Sequence, residues 1–232
     1  MSRAPRSPRR QAAQSGMTLV EIMIAIAVLV VMMGMGWSTI SKVSEVRQTF
    51  EGYEVRNHEI RVGLARVVAD LEHAYLSKNE DDNATHRRTL FLGKSGGQVG
   101  DLRFSSLSHR ILWSDAAESE QTQITYLAGP DRADGRKTSW LRRESRRLSN
   151  EAPDDEAAEL DVVIADIEKV EFEFWDWRGE KWLDRWDTTS SDNQRGRLPL
   201  RVRIKLTIKE DGEDRTYTAV ARLPMQEPLN FF

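Results

Sequence analysis

The 232-residue chain contains no cysteine. Disulfide frameworks, thiolate nucleophiles and cysteine-ligated zinc are therefore excluded together. The compartment is left open, because a chain of this length folds in an oxidising space without staples. Proline is missing from Gln11 to Gly129, so nothing in that stretch forces a helix to break. Charge is missing from Ile22 to Ser41, and no acid precedes Gly16. The body also lacks a positive balance. Residues 1–16 carry +4 through Arg3, Arg6, Arg9 and Arg10, whereas everything from Met17 onward sums to −7. A mildly acidic body gives no electrostatic reason to expect nucleic acid, which needs a clustered positive field.

Catalytic patterns are also short of residues. His58-Glu59 begins like a zinc-protease helix, but the second histidine of H-E-x-x-H would fall at Val62. Gly93-Lys94-Ser95 resembles the end of a phosphate loop, yet Arg88 stands where the first glycine belongs. His73, His86 and His109 are scattered and read as surface or packing residues. Glu80-Asp81-Asp82-Asn83 could offer oxygens to calcium, but it has neither the ligand spacing nor the glycine of a loop site, so a solvated charge run is the plainer reading. The expectation is no catalytic residue, no cofactor and no metal, with calcium left open.

What is present begins with the charge-free run. At about 1.5 Å per residue, the 20 residues Ile22–Ser41 span about 30 Å, the thickness of a bilayer's hydrocarbon core. Residues 1–16 are rich in Arg, Ser, Ala and Pro and read as a leader with little to bury. Their arginines hold that side in the cytoplasm and send the remainder outward. Glu21 is out of place in this setting. A cleaved secretory signal does not fit, since the run is too long and Gly36-Trp37-Ser38 is a poor cleavage site. A plain signal anchor fits the length but leaves Glu21 as an accident near the interface, snorkelling to water.

Cleavage after Gly16 accounts for it. Met17 would then carry a new ammonium group, with Glu21 four residues further on. An ionised acid at the centre of a membrane helix costs about 2.5–3.5 kcal/mol on insertion scales. Opposite charges about 4 Å apart recover roughly 4 kcal/mol at an effective dielectric of 20. The pair offsets a penalty that either charge alone would carry. The sequence Gly16-Met17-Thr18-Leu19-Val20-Glu21, with a basic leader before it and an apolar run after it, resembles the processing site of type IV pilins and type II secretion pseudopilins. The resemblance implies cleavage by prepilin peptidase, methylation of Met17, and a contact between Glu21 and the terminal amine of a neighbouring subunit. A pair between Met17 and Glu21 within one helix remains an alternative.

The helical pattern continues past the bilayer. Val43, Val46, Phe50, Tyr53, Asn57, Ile60, Leu64, Val67, Leu71 and Ala74 alternate steps of three and four, broken only by Asn57. One helix from near Met17 to about Leu76 is expected, its stripe packed on the protein's own sheet or, alternatively, on another chain. Asn57 marks either a polar contact or a solvated edge. Gly34 and Gly36 fit close backbone approach, local melting or ordinary membrane-helix tolerance.

Beyond Ser77 the pattern changes to short alternating runs. Strands are expected at Thr89–Leu92, Leu102–Leu107, Gln123–Leu127, Ser139–Arg143, Glu171–Trp177, Lys181–Trp186, Arg201–Lys209 and Arg215–Leu223. Asn150–Glu159 reads as an acidic loop, and Val162–Val170 is ambiguous between strand and short helix. In Arg201–Lys209, Val202, Ile204, Leu206 and Ile208 face one way, the antiparallel signature of one buried and one wet face. Asp211-Gly212 makes the following turn. The fold class is α+β, with a leader at 1–16, a membrane segment at 17–41, an amphipathic helix at 42–77 and an antiparallel β domain at 78–232.

"VEFEFWDWRGEKWLDRW", followed by "LPLRVRIKLTI" and "DGEDRTYTAVARLP", resembles the end of the J-type minor pseudopilin of type II secretion. This resemblance implies a place at a pseudopilus tip with I- and K-type partners, priming assembly of the major pseudopilin for export across the outer membrane. It also implies anchorage in the inner membrane with the domain in the periplasm. A minor pilin of a type IV pilus is the near alternative. A membrane-tethered periplasmic enzyme or binding module is the alternative of a different class. Trp175, Trp177, Trp182 and Trp186 are either hairpin packing or a partner surface; sugar stacking has no supporting polar spacing.

Overall fold

The computed structural model describes residues 18–79, 88–111, 113, 119–132, 134–146, 148, 160–190 and 194–230, with the backbone alone for 38–41 and 43–52. Gly16, Met17, the Glu80–Asn83 run, His86 and the acidic stretch 150–159 lie outside the described residues. So do the side chains of Val43, Val46 and Phe50. The chain forms two compact units, 1–56 and 57–232.

Helix α1 runs from Leu19 to Glu72. In the first unit, the apolar side chains from Leu19 to Trp37 are exposed, and the stretch Leu19–Trp37 is long and apolar enough to cross a membrane. In the second unit, Ile60, Leu64, Val67 and Leu71 are buried, at the steps of three and four that one helical face requires. Asn57 is a polar contact: its Oδ1 accepts a hydrogen bond from the Tyr217 hydroxyl at 3.3 Å.

Among the described residues, ten strands follow: β1 Phe91–Lys94, β2 Asp101–Ser106, β3 Thr122–Pro130, β4 Thr138–Ser145, β5 Leu160–Ile164, β6 Lys169–Asp176, β7 Lys181–Leu183, β8 Arg185–Asp187, β9 Arg201–Glu210 and β10 Glu213–Arg222. They form two antiparallel sheets, ordered β5-β4-β3-β2-β1-β8 and β10-β9-β6-β7. This is the α+β architecture expected from the pattern. The ambiguous stretch Val162–Val170 divides into the end of β5, a bend with Asp166 at φ 48°, and the start of β6. The expected single return strand Lys181–Trp186 is two strands. Asp184 separates β7, which pairs with β6, from β8, which pairs with β1, so this short stretch passes from one sheet to the other. Asp211 and Gly212, at φ 52° and 84°, make the two-residue β9–β10 turn, since both central positions of that hairpin need positive φ.

The core is closed by aromatic rings. Centroids run Phe91–Phe104 at 5.6 Å, Phe104–Tyr126 at 6.4 Å, Tyr126–Trp140 at 5.4 Å, Trp140–Phe172 at 6.2 Å, Phe172–Phe174 at 6.5 Å and Phe174–Phe91 at 6.0 Å. The six residues come from β1, β2, β3, β4 and β6, so the circuit joins the two sheets. Such pairs contribute about 0.5–1.5 kcal/mol each beyond the area they bury. Ser95 adds a polar link, accepting the Phe172 N–H at 2.7 Å and donating to the Phe172 carbonyl. The Gly93-Lys94-Ser95 stretch therefore has a structural use.

Candidate functional site

The helix start shows what Glu21 does locally. The Thr18 N–H donates to Glu21 Oε2 at 3.3 Å, and the Glu21 N–H donates to Thr18 Oγ1 at 3.4 Å. Thr18-Leu19-Val20-Glu21 is thus a capping box, in which each side chain accepts the other residue's backbone N–H; the Glu21 N–H also reaches the Thr18 carbonyl at 3.1 Å. The carboxylate also lies in the first turn, where the helix dipole favours negative charge. This role was readable from the Thr-x-x-Glu spacing before an apolar run, and the charge-pair reading of Glu21 overlooked it.

The four tryptophans of the hairpin separate into different environments. Trp186 is 0% exposed, and its Nε1–H donates to the Arg197 carbonyl at 3.0 Å. It belongs to the core rather than to any partner surface. Trp175 and Trp182 are half-buried cross-strand partners, edge to face at 5.3 Å, on the outer side of the four-stranded sheet. Arg203 lies 4.0 Å above the Trp182 ring. Trp177, half-buried next to the turn, has Arg178 at 4.9 Å, and its indole nitrogen is shut from solvent with no acceptor.

Two buried ion pairs frame the domain, and neither was foreseen from the sequence. On the core face of β6, Asp176 follows Phe172 and Phe174 in alternation and receives Arg197 Nη1 at 2.7 Å and Nη2 at 3.1 Å. The Arg197 guanidinium, with the Arg178 N–H, holds the Asp176 carboxyl below its ordinary range despite burial. Arg197 also lies 4.8 Å from the Trp186 ring, so one side chain connects the aromatic core to the hairpin end.

The second pair joins α1 to the six-stranded sheet. Asp70 Oδ2 accepts from Arg142 Nε at 2.7 Å and from the Tyr126 hydroxyl at 2.7 Å. Arg142 Nη1 reaches Glu144 at 2.6 Å, and Glu144 meets His109 Nδ1 at 2.6 Å. Burial pushes the Glu144 carboxyl up, but the bonds from His109 and Arg142 outweigh it and hold the group below its usual value. Burial, with the Asp70 carboxylate beside it, pushes the Tyr126 hydroxyl well up. All these groups are engaged in holding elements together. Among the described residues, no three His, Asp or Glu side chains are grouped to hold a metal ion.

Two family models match the chain. The family model described as "Type II secretion system (T2SS), protein J" matches residues 38–220, and the "Prokaryotic N-terminal methylation motif" matches residues 11–37. No curated protein sequence matches the chain. Among solved structures, a chain of the GspK-GspI-GspJ complex from the enterotoxigenic Escherichia coli type 2 secretion system is similar at 15% identity. That likeness covers 73% of this chain and 99% of that one, with a TM-score of 0.49. The exposed apolar helix and the methylation motif make this a membrane-anchored, single-pass protein. With the family model extending across most of its length, the chain belongs to the type II secretion system protein J family, the J-type minor pseudopilins.

Proposed function

We propose that the protein is a structural subunit at the tip of a pseudopilus and has no catalytic activity of its own. Prepilin peptidase removes residues 1–16 after Gly16, and Met17 becomes the methylated start of the mature chain. Residues 17–41 hold the subunit in the bacterial inner membrane with its amino terminus on the cytoplasmic side. Residues 42–77 carry the rest of the helix, which ends at Glu72, and residues 78–232 form the periplasmic domain. The reading rests chiefly on one observation: a methylation motif at 11–37 directly precedes a protein J match at 38–220.

In this role the subunit contributes packing surfaces and one charge pair. The run Ile22–Ile40 associates with other helices, and Glu21 meets the ammonium of Met17, on its own or a neighbouring chain, so setting register. The I- and K-type minor pseudopilins are the partners, and the trio primes assembly of the major pseudopilin for export of folded proteins. The similar solved structure is itself a complex of GspK, GspI and GspJ. Co-expression with I- and K-type subunits in inner membranes tests the reading. A complex carrying all three after detergent extraction is the expected result; recovery of this chain alone, with secretion intact in its absence, would overturn it.

A further inference from the structure

The outer face of the four-stranded sheet neutralises three of its cations locally. Lys169 meets Glu171 at 2.7 Å, and Glu173 receives both Arg203 and Lys205 at 2.7 Å. Among the described residues, Lys209 near the β9–β10 turn and one row at the other end of the sheet depart from this habit. Arg222 of β10 stands directly opposite Arg201 of β9, and Arg201 stands opposite Trp175 of β6, which stands opposite Trp182 of β7. Both arginines are exposed, and neither forms an ion pair among the described residues. Like charges placed directly opposite on an antiparallel pair are destabilising. The sheet keeps them beside two half-buried tryptophans at the same end.

The row Arg222–Arg201–Trp175–Trp182 crosses four strands spaced at about 4.8 Å, a length of about 14 Å. Val220, 48% exposed, lies on the same face one position in from Arg222, opposite Arg203. Arg203 is already engaged by Glu173 and by the Trp182 ring. Two guanidinium groups therefore present open donors next to an aromatic and aliphatic floor. A carboxylate brought between them would accept charge-assisted hydrogen bonds and remove the repulsion. Apolar atoms flanking it would rest on Trp175 and Val220. Tryptophan and arginine together are the composition of interface hot spots.

We propose that this row is a docking site for a carboxylate-bearing segment of a partner protein, with Arg201 and Arg222 as its anion clamp and Trp175 and Trp182 as its floor. The proposal does not depend on the tip-complex reading. Loss of acidic-peptide binding with normal I- and K-type co-purification would sink this site alone, and the converse result would sink the other.

The test uses the full chain in phosphatidylcholine nanodiscs and the anisotropy of fluorescein-labelled hexaglutamate, with hexaserine and hexalysine as controls. Hexaglutamate should bind and the two controls should not. Arg201→Gln and Arg222→Gln should each weaken binding about tenfold, the loss expected for one charge-assisted contact. Arg136→Gln, on the β3–β4 connection, should leave binding unchanged. Because each clamp variant removes a like-charge opposition, its Tm should hold or rise, which separates loss of the site from loss of the fold. Failure of the wild type to bind hexaglutamate overturns the proposal, as does equal binding by the wild type and both clamp variants. Capture of dextran sulfate without hexaglutamate binding overturns it in favour of a glycan.

Discussion

Asp70 on α1 and Arg142 on β4 meet at 2.7 Å with both side chains buried, and the Tyr126 hydroxyl donates to the same carboxylate oxygen. The contact spans 72 positions of sequence and ties the helix to the six-stranded sheet. Removing one partner leaves a buried charge uncompensated, a loss of about 3–5 kcal/mol. Asp70→Asn should therefore lower the stability of the β domain by that order in urea titrations. The triple variant Asp70→Leu, Arg142→Met and Tyr126→Phe should lose much less, because replacing the buried charges and the hydroxyl that donates to Asp70 with apolar groups leaves none of the three unpaired. Equal losses in the single and triple variants would contradict this account.

Gly63 on α1 faces β5 at close range. A Cβ built there would lie 2.5 Å from Ile164 Cγ1 and 2.8 Å from the Val163 carbonyl oxygen. Alanine is otherwise favoured over glycine in a helix by about 1 kcal/mol, whereas overpacking costs about 1–3 kcal/mol. The clash involves backbone as well as side chain, so it should prevail. Gly63→Ala is expected to lower the Tm, while Ala65→Gly, on the exposed side of the same helix, loses only helix propensity. A Tm for Gly63→Ala at or above the wild type would contradict the close-approach argument.

These two contacts show what the sequence could and could not convey. Ile60, Leu64, Val67 and Leu71 were legible because helical periodicity is a local property, and so was the alternation from Val202 to Ile208. Asp211-Gly212 was legible because few residue pairs accept two positive φ values. The pairing of Asp70 with Arg142, or Asp176 with Arg197, was not, since nothing local selects a partner across the fold. Asp176 did carry a hint, lying on the same side of its strand as Phe172 and Phe174, where a charge requires a cation. The division of Lys181–Trp186 between two sheets depends on the register of β1 and β6, which that stretch does not encode. The burial of Trp186 and the half-exposure of Trp175 and Trp182 follow from the same division.

Acid sensitivity follows from the direction of the carboxylate shifts. The bond from Arg197 leads in holding Asp176 below its ordinary value. The bond from Lys205 leads for Glu173, and the bonds from His109 and Arg142 outweigh burial for Glu144. A carboxyl depressed in the folded state stabilises fully above its unfolded value, and that contribution is lost as the pH falls through the folded one. Tm should therefore be level down to about pH 5 and fall as the pH drops below about 4, the ordinary carboxylate range. Arg197→Gln removes the leading cause at Asp176 and should flatten the acid limb. An unchanged limb in that variant would assign the sensitivity elsewhere.

The two uses of Glu21 can be separated by substitution. Glutamine at the third helical position preserves a capping box, whereas it cannot neutralise an ammonium group. Under the charge-pair reading, Glu21→Gln and Glu21→Ala should both reduce pseudopilus assembly and secretion at least about tenfold, equivalent to about 1.4 kcal/mol. If capping alone were needed, Glu21→Gln would match the wild type and only Glu21→Ala would fail.

The most direct test is the mass of the amino-terminal peptide isolated from native inner membranes. The account predicts a polypeptide that begins with N-methylated Met17, so that Glu21 is its fifth residue and has a cation to meet. A functional protein that retains Arg3, Arg6, Arg9 and Arg10 would contradict it.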